Sequence, residues 1–167
     1  MKSSKMSDNQ VYDRVTKQYR ERKKPGRKPA TEFRQGTIYT MKPGKYYIGD
    51  ICYFMDDKLY DEVWGTQFGF SDGHYQKADG TGFIVMGTAY GDGHYNGSNG
   101  VGYGVDAGVI GLVSLELGSG PEDEKIETAR SMGSYHEFTE PVSLKQDLER
   151  GLFEFSSGKW TLRIDTR

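Results

Sequence analysis

The feature that most constrains this chain is a motif that occurs twice. The fourteen residues DGHYQKADGTGFIV, which begin at Asp72, are followed twenty positions on by DGHYNGSNGVGYGV, which begins at Asp92, and seven aligned positions are identical. Inside each copy a second turn pair is formed by Asp79 or Asn99 with the glycine that follows. Asp-Gly and Asn-Gly between short strands are strong hairpin signals, typical of type I′ turns. The sequence therefore predicts two successive β-hairpins.

Composition supports a β protein beyond this repeat. The chain contains 23 glycines and 12 tyrosines, and sixteen of the glycines lie between Gly65 and Gly120. Aromatic residues favour strands and glycines favour turns. A short helix that ends at Gly65 is predicted after Asp56. A second short helix is predicted after Pro121, where a long acidic loop is the alternative. The expected fold is a mainly β, single-domain antiparallel sandwich or partly closed barrel built of hairpins, with two or three short helices and an extended N-terminal arm.

The charge is distributed unevenly along the chain. Residues 1–36 carry eleven Lys or Arg against four Asp or Glu, a balance of +7. Residues 37–167 carry eleven against twenty, a balance of −9. Such a shift marks a boundary between two parts. The sequence predicts a basic N-terminal arm over residues 1–36 and a Gly-rich β domain over residues 37–167.

The arm contains a weak helical pattern. Val11, Val15 and Tyr19 recur at a spacing of four residues after a capping pair formed by Ser7 and Gln10. This pattern predicts a short helix over about residues 9–23. The Pro-Gly pair that follows Lys24 then predicts an extended basic segment.

Cysteine and hydropathy patterns exclude several classes. Because Cys52 is the single cysteine, an internal disulfide and a Cys-based zinc site are excluded. The sequence shows no apolar run typical of a signal peptide or membrane span. We expect a soluble protein that is synthesised in a reducing cytoplasm and binds no membrane.

Three motifs resemble a known family. The strings PGKYYIGDICY from Pro43, TAYGDGHY from Thr88 and YGVDAGVIG from Tyr103 are similar to those of an uncharacterised family found in bacteria, phages and large DNA viruses. The resemblance covers the β domain and omits the arm. Members often have proline in place of Ile51 and an aliphatic residue in place of His94. The resemblance implies a small β domain without an established activity, and a lysine-rich arm on it is compatible with a large DNA virus.

A metal site is the first chemical hypothesis, because the repeat and its flank contain His74, His94, Asp72, Asp92 and Asp106. If both hairpins lie in one meander, the two histidines are two strands apart, roughly 9–10 Å. Two imidazoles on one zinc ion need nitrogens about 2.0–2.1 Å from the metal. The two histidines are therefore weak metal candidates, and we expect neither a metal nor another cofactor.

A small hydrolase is the second chemical hypothesis. The chain lacks a Gly-x-Ser-x-Gly elbow, a His-Glu-x-x-His helix and a phosphate-binding loop. Cys52 beside Asp50 is a conceivable nucleophile with a distant histidine, and Asp50 with Asp106 is a conceivable carboxylate pair. A lone cysteine between apolar residues is more often a small core residue, and turn carboxylates usually serve the turn. We therefore expect no enzymatic activity.

The basic arm is the strongest functional candidate. A charged terminus can be a solubility tail, a nucleic-acid-binding segment or an arm that binds protein. The candidate partner-binding residues are Arg20, Arg22, Lys23, Lys24, Arg27, Lys28 and Arg34.

These observations favour a non-enzymatic structural or interaction protein of a larger assembly whose arm binds neighbouring subunits. A minor capsid protein or another virion component of a large DNA virus is the setting that the family resemblance suggests. The alternative is a nucleic-acid-binding protein that uses the arm. A small hydrolase or metalloprotein is the second alternative.

Overall fold

The computed structural model describes residues 10–13, 18–21, 35–147 and 151–167. In chain order the strands are β1 (Gln10–Asp13), β2 (Gln18–Glu21), β3 (Gln35–Met41), β4 (Gly44–Gly49), β5 (Gly73–Gln76), β6 (Gly82–Gly87), β7 (Gly93–Asn96), β8 (Gly102–Val105), β9 (Val109–Ser114), β10 (Ser134–Phe138), β11 (Val142–Asp147), β12 (Leu152–Ser157) and β13 (Trp160–Asp165). The helical elements are α1 (Asp57–Leu59), a π-helix (Tyr60–Gln67), α2 (Glu122–Met132) and 3₁₀ turns at Ile51–Tyr53 and Leu115–Leu117.

Two antiparallel sheets pack face to face. The larger sheet has the strand order β10-β4-β9-β6-β5, and the smaller has the order β13-β12-β11-β3. Strands β7 and β8 form a separate hairpin beside β13, where the Ser98 N–H donates to the Arg163 carbonyl at 2.8 Å. The described strands form no closed barrel. The predicted antiparallel sandwich built of hairpins is therefore confirmed.

The main core lies between the two sheets. Every second residue of a strand points to the same face, so Ile48, Ile84 and Leu112 of the larger sheet face inward. They meet Leu144 and Phe155 of the smaller sheet, and all five side chains are fully buried. Truncating one such side chain to alanine costs about 2–5 kcal/mol of stability, so this layer stabilises the sandwich strongly.

The larger sheet is also buried on its outer face. Phe83 and Val113 point to that side, and Tyr47 stacks there on Phe54 with a ring-centroid distance of 4.6 Å. Trp64 of the π-helix is buried in the same layer and donates its indole N–H to the backbone of the neighbouring loop. The molecule therefore has three layers. Burial on both faces explains why β9 is a nearly continuous apolar run rather than an alternating one.

The first copy of the repeat forms the hairpin β5–β6, as predicted. The Lys77 N–H donates to the Thr81 carbonyl at 2.8 Å, and the Gly80 N–H donates to the Lys77 carbonyl at 3.0 Å. Asp79 Oδ1 accepts the Thr81 N–H at 2.9 Å. Gly80 has φ of +89°, a backbone conformation that glycine adopts without steric cost.

The second copy forms the hairpin β7–β8 with the same turn. The Gly97 N–H donates to the Val101 carbonyl at 2.8 Å, the Gly100 N–H donates to the Gly97 carbonyl at 3.0 Å, and Gly100 has φ of +83°. Asn99 Oδ1 accepts the Val101 N–H at 3.1 Å. Asn99 itself does not have positive φ. The turn is therefore a three-residue loop with a left-handed glycine, and the expectation of a type I′ turn is wrong.

The two hairpins do not form one meander. β6 pairs with β9, which comes later in the chain, while β7 and β8 pair only with each other in a named sheet. His74 on β5 and His94 on β7 therefore lie in different sheets. The assumption that these histidines are separated by two strands of one sheet is wrong.

The arm also differs from its prediction. β1 and β2 pair antiparallel, with Val11 opposite Arg20 and Tyr12 opposite Tyr19. These strands replace the helix predicted over about residues 9–23 wherever the structure describes that segment; the rest of it lies outside the described residues. The predicted apolar stripe was narrow, and β-branched and aromatic residues favour strands.

The two predicted helices of the β domain are present. Asp56 caps α1 by accepting the Lys58 N–H at 3.2 Å. The helix then continues as the π-helix through Gly65, which was the predicted end. α2 begins directly after Pro121, and its first three residues are acidic, as the positive end of the helix dipole favours.

Candidate functional site

Three loops meet at one end of the larger sheet. β4 and β6 both run antiparallel to β9, so their C-terminal ends lie beside the start of β9. Gly49 is opposite Gly111, and Gly87 is opposite Val109. This register brings the residues after β4, after β6 and after β8 to the same end of the sheet. These are the loops of the three motifs that carry the family resemblance.

Asp50 ties these loops together. Its Oδ2 accepts the backbone N–H groups of Asp106 at 2.6 Å and Ala107 at 2.7 Å, and its Oδ1 accepts that of Cys52 at 3.0 Å. Burial raises the pKa of the Asp50 carboxyl group, and the backbone N–H groups of Ala107, Cys52 and Asp106 oppose that rise. Both oxygens are thus occupied by backbone donors, which gives Asp50 a role in holding the β8–β9 loop against the end of β4.

Further sequence candidates surround Asp50. Burial raises the pKa of Tyr53 to about 12, and electrostatic interactions with Cys52, Asp106, Asp50 and Asp92 add to that rise. Cys52 and Asp106 thus lie at the same end of the sheet as Asp50, and each donates its backbone N–H to the Asp50 carboxylate. Among the described residues, no three His, Cys, Asp or Glu side chains are grouped to hold a metal ion. The hydrogen bonds described at this end join the loops through the Asp50 carboxylate.

The two histidines of the repeat lie elsewhere. His74 is half-buried on β5 with its ring 5.1 Å from the ring of Tyr39, and burial lowers its pKa. His94 is exposed on β7, and its ring lies against Gly102, where a Cβ atom would overlap it. The structure does not bring these predicted weak metal candidates together.

Most of the predicted partner-binding residues lie outside the described residues. Arg20 is placed on β2, opposite Val11. The remaining residues, for which nothing further is described, are Arg22, Lys23, Lys24, Arg27, Lys28 and Arg34.

The helical layer carries much of the acidic charge of the β domain. We define the acidic outer layer as residues 51–67 and 115–132, which contain nine acidic and three basic residues, a balance of −6. The acidic residues, all at least partly exposed, are Asp56, Asp57, Asp61, Glu62, Glu116, Glu122, Asp123, Glu124 and Glu127. The basic residues are Lys58, Lys125 and Arg130. A surface of this sign attracts a basic partner.

A groove of about 320 Å³ runs through this layer. Its lining residues include Leu59, Val63, Leu117, Asp56, Glu62, Glu116, Lys58 and Lys77. Asp56 is already engaged, because its Oδ1 accepts the Ser119 hydroxyl at 2.8 Å and its Oδ2 accepts a backbone N–H. Glu62 and Glu116 are exposed carboxylates beside an apolar surface. An extended basic peptide with apolar residues could fill such a groove.

Sequence reasoning missed a buried hydrogen-bonded chain. Asn99 Nδ2 donates to the Tyr103 hydroxyl at 3.0 Å, and that hydroxyl lies 2.7 Å from Ser134 Oγ. Ser134 Oγ is in turn 2.7 Å from His136 Nε2. Burial lowers the pKa of His136 to about 4, so the ring is neutral at pH 7.

The hydrogen-bonded chain ends at His136, which lines an aromatic pocket of about 190 Å³. His136 and Phe138 are stacked at 5.6 Å on β10, and the Trp160 ring lies 5.0 Å from each of them. One signal for this cluster was present in the sequence. His136 is two residues from Phe138 in the sequence, and the alternation of a strand places both side chains on one face.

Comparisons with known proteins found no matching family model, no similar curated protein and no similar solved structure. The family resemblance seen in the three motifs therefore stays a prediction. In the part of the chain that the structure describes, no helix is both long and apolar enough to cross a membrane.

Proposed function

We propose that this protein is a non-enzymatic component of a larger assembly, in which the basic arm of one copy binds the acidic outer layer of a neighbouring copy. The observation that supports this proposal is the separation of charge. The arm has a balance of +7, and the acidic outer layer has a balance of −6. The virion setting suggested by the family resemblance stays a prediction.

Opposite charges on the arm and on the acidic outer layer favour contact between copies. A single exposed ion pair contributes only about 0–1 kcal/mol, so one arginine on one glutamate would not hold two subunits together. Several cations that meet several carboxylates act together, and opposite surface charges also speed association. At physiological ionic strength the Debye length is about 8 Å, so salt largely screens the attraction between exposed charges that are farther apart than this. The association should therefore weaken as salt is added.

The groove adds an apolar surface to the electrostatic attraction. Leu59, Val63 and Leu117 form apolar lining that a purely polar surface would not offer, and Glu62 with Glu116 flanks it. Interfaces derive much of their stability from buried apolar and aromatic anchors surrounded by polar contacts. The arm contains such side chains beside its cations, since valines and tyrosines alternate there with arginine and lysine.

An exposed sheet edge also favours assembly. β3 pairs only with β11 among the described strands, so its other edge offers backbone N–H and carbonyl groups. The seven residues Gln35–Met41 contain no charge and no proline, and the Ile38 side chain is 42% exposed. Proteins usually protect such an edge with charges, proline or a covering element. A strand from the arm of a neighbouring copy would satisfy these backbone groups, and the described residues of the arm are strands.

The test measures the molecular mass in solution across a salt series. We expect the full chain to form oligomers at low salt and to dissociate as salt increases. Deletion of residues 1–34, which keeps β3 intact, should leave the β domain folded by circular dichroism and monomeric at every salt concentration. The double variant Glu62→Lys and Glu116→Lys should associate more weakly than the natural chain, because it reverses two groove charges.

The matched control is Asp165→Lys, which reverses an exposed acidic residue on β13, away from the outer layer. We expect this variant to associate normally. Oligomers that survive deletion of the arm would refute the proposal, as would equal weakening by the groove variant and the control.

The same salt series also distinguishes the assembly proposal from the alternative that the arm binds nucleic acid. Duplex DNA or RNA bound through the arm would show a logarithmic salt dependence with a slope of about −0.9 for each neutralised phosphate of B-DNA. A full chain that stays monomeric alone but binds a duplex with this steep slope would replace the assembly proposal.

A further inference from the structure

The aromatic pocket lies where the edges of the two sheets approach each other. β10 is an edge strand of the larger sheet, and β13 is an edge strand of the smaller one. Phe138 and Trp160 bring these edges together with a ring-centroid distance of 5.0 Å. Just outside this contact, the turn between β12 and β13 and the residues after β10 enclose about 190 Å³. This volume suits a small ligand or the tip of one long side chain.

Its walls combine aromatic rings with carboxylates. His136, Phe138 and Trp160 supply the rings, and Glu137 and Glu140 supply the charges. No lysine or arginine lines the described pocket. Anions are therefore disfavoured, and a cation in this pocket would be attracted by two carboxylates.

The Glu140 carboxylate has space because of a glycine. Its side chain lies against Gly158 in the β12–β13 turn, where an added Cβ atom would overlap a carboxylate oxygen. The Ser157 hydroxyl donates to the Glu140 carbonyl at 3.0 Å and anchors that residue to the same turn. Glu140 is thus held beside Trp160 at the pocket wall.

The hydrogen-bonded chain behind the pocket keeps His136 in place. Asn99 Nδ2 can only donate, so the Tyr103 hydroxyl accepts from it and donates to Ser134 Oγ. Ser134 then donates to His136 Nε2, so both hydroxyl protons have an acceptor. A neutral imidazole with its proton on Nδ1 follows. His136 accordingly adds an aromatic wall without adding positive charge.

We propose that this pocket binds a small organic cation of the alkylammonium class, with the cation against the Trp160 ring and the Glu140 carboxylate as its counter-charge. Tryptophan is the best of the aromatic side chains for attracting a cation to its ring face, and aromatic cages recognise quaternary ammonium groups in this way. The same chemistry is offered by a free quaternary ammonium compound such as choline and by a methylated lysine side chain of another protein. This site is separate from the groove and does not depend on the proposed assembly.

The experiment follows the indole N–H signals of the full chain by two-dimensional NMR during a titration with choline. The chain has two tryptophans, and Trp64 is buried in the helical layer, where its N–H donates to Ser71. We expect a saturable shift of the Trp160 signal with a dissociation constant of about 1 mM or lower, while the Trp64 signal stays in place. The Trp64 signal also reports that each variant is folded.

The control ligand is dimethylbutanol, the neutral carbon analogue of choline, which should bind at least about tenfold more weakly. The control variant is Asp165→Asn, which should bind choline normally. Glu140→Gln should weaken choline binding about tenfold. Trp160→Leu should abolish it, and binding by this variant is measured by isothermal titration calorimetry because it lacks the indole signal that reports binding. Trimethyllysine amide is titrated in parallel. Tighter binding of this compound indicates a methylated lysine of another protein as the ligand, and tighter binding of choline indicates a free quaternary ammonium compound.

Three results would overturn the proposal. The first is the absence of a saturable shift at choline concentrations far above the millimolar range. The second is equal binding of choline and dimethylbutanol, because that would show a hydrophobic pocket without charge recognition. The third is unchanged choline binding by both Glu140→Gln and Trp160→Leu while the Trp64 signal shows that they are folded.

Discussion

His136 should make the stability of this protein depend on pH between about 7 and 4. Its pKa is lowered by burial from 6.5 to about 4 in the folded state, whereas the unfolded chain keeps the ordinary value. As pH falls below 6.5, the unfolded chain takes up the proton first, so the folded state loses relative stability. The stabilising contribution is thus fully present above that pH and is lost as the pH falls towards the folded-state pKa.

The magnitude follows from the two pKa values. Between pH 7 and pH 5 this one histidine should lower the free energy of unfolding by about 2 kcal/mol, and by about 3 kcal/mol once the pH is below 4. Because the ring is partly exposed, these figures are upper values. For a chain of this size, about 2 kcal/mol corresponds to a lowering of Tm by roughly 4–8 °C.

The assay compares urea unfolding of the natural chain and of His136→Gln at several pH values. Glutamine keeps a side-chain acceptor near Ser134 but does not titrate in this range. Asp50 and His74 also titrate, but both proteins contain them, so their effects cancel in the difference between the two curves. The variant should lose about 2 kcal/mol less than the natural chain between pH 7 and pH 5. Parallel curves would refute the argument that His136 is buried as a neutral ring.

Two further substitutions test the fold. Gly100→Ala places a side chain at φ of +83° with open space around it, so it should cost about 1 kcal/mol from backbone strain alone. Gly104→Ala, which also meets open space but lacks positive φ, is the matched control and should change the thermal midpoint little; equal effects would contradict the turn assignment. Asp50→Asn replaces one of two acceptor oxygens by a donor against backbone N–H groups, and should cost about 1–3 kcal/mol in urea unfolding. A cost below about 0.5 kcal/mol would show that these hydrogen bonds are dispensable.

Local turn chemistry explains why the repeat was predictable from the sequence. Each Asp-Gly or Asn-Gly pair determines its own turn through a side-chain oxygen and a left-handed glycine, and all the partners lie within five residues. Sheet membership depends instead on distant partners. β6 pairs with β9, and the intervening hairpin β7–β8 is displaced towards β13, which no local pattern indicates.

The candidate sites were predictable to different degrees. Asp50 and Asp106 could be singled out because both follow strands in recognisable motifs, and the structure brings them together. The chain from Asn99 to His136 was not predictable, since its members come from β8, its turn and β10, and only the folded sandwich brings them into contact. The prediction of a helix in the arm was wrong for a different reason. Its apolar stripe was too narrow to distinguish a helix from a hairpin.

The two copies of the repeat differ where their surroundings differ. Asp79 and Asn99 both accept a backbone N–H through Oδ1, so the turn tolerates either residue. Only asparagine has a side-chain N–H group as well, and Asn99 donates it to the Tyr103 hydroxyl. The position aligned with Tyr103 in the first copy is Phe83, which is buried and has no hydroxyl group to receive such a bond. The exchange of Asp for Asn and the exchange of Phe for Tyr are therefore linked. Together they give the second hairpin the hydrogen bonds that reach His136 at the aromatic pocket.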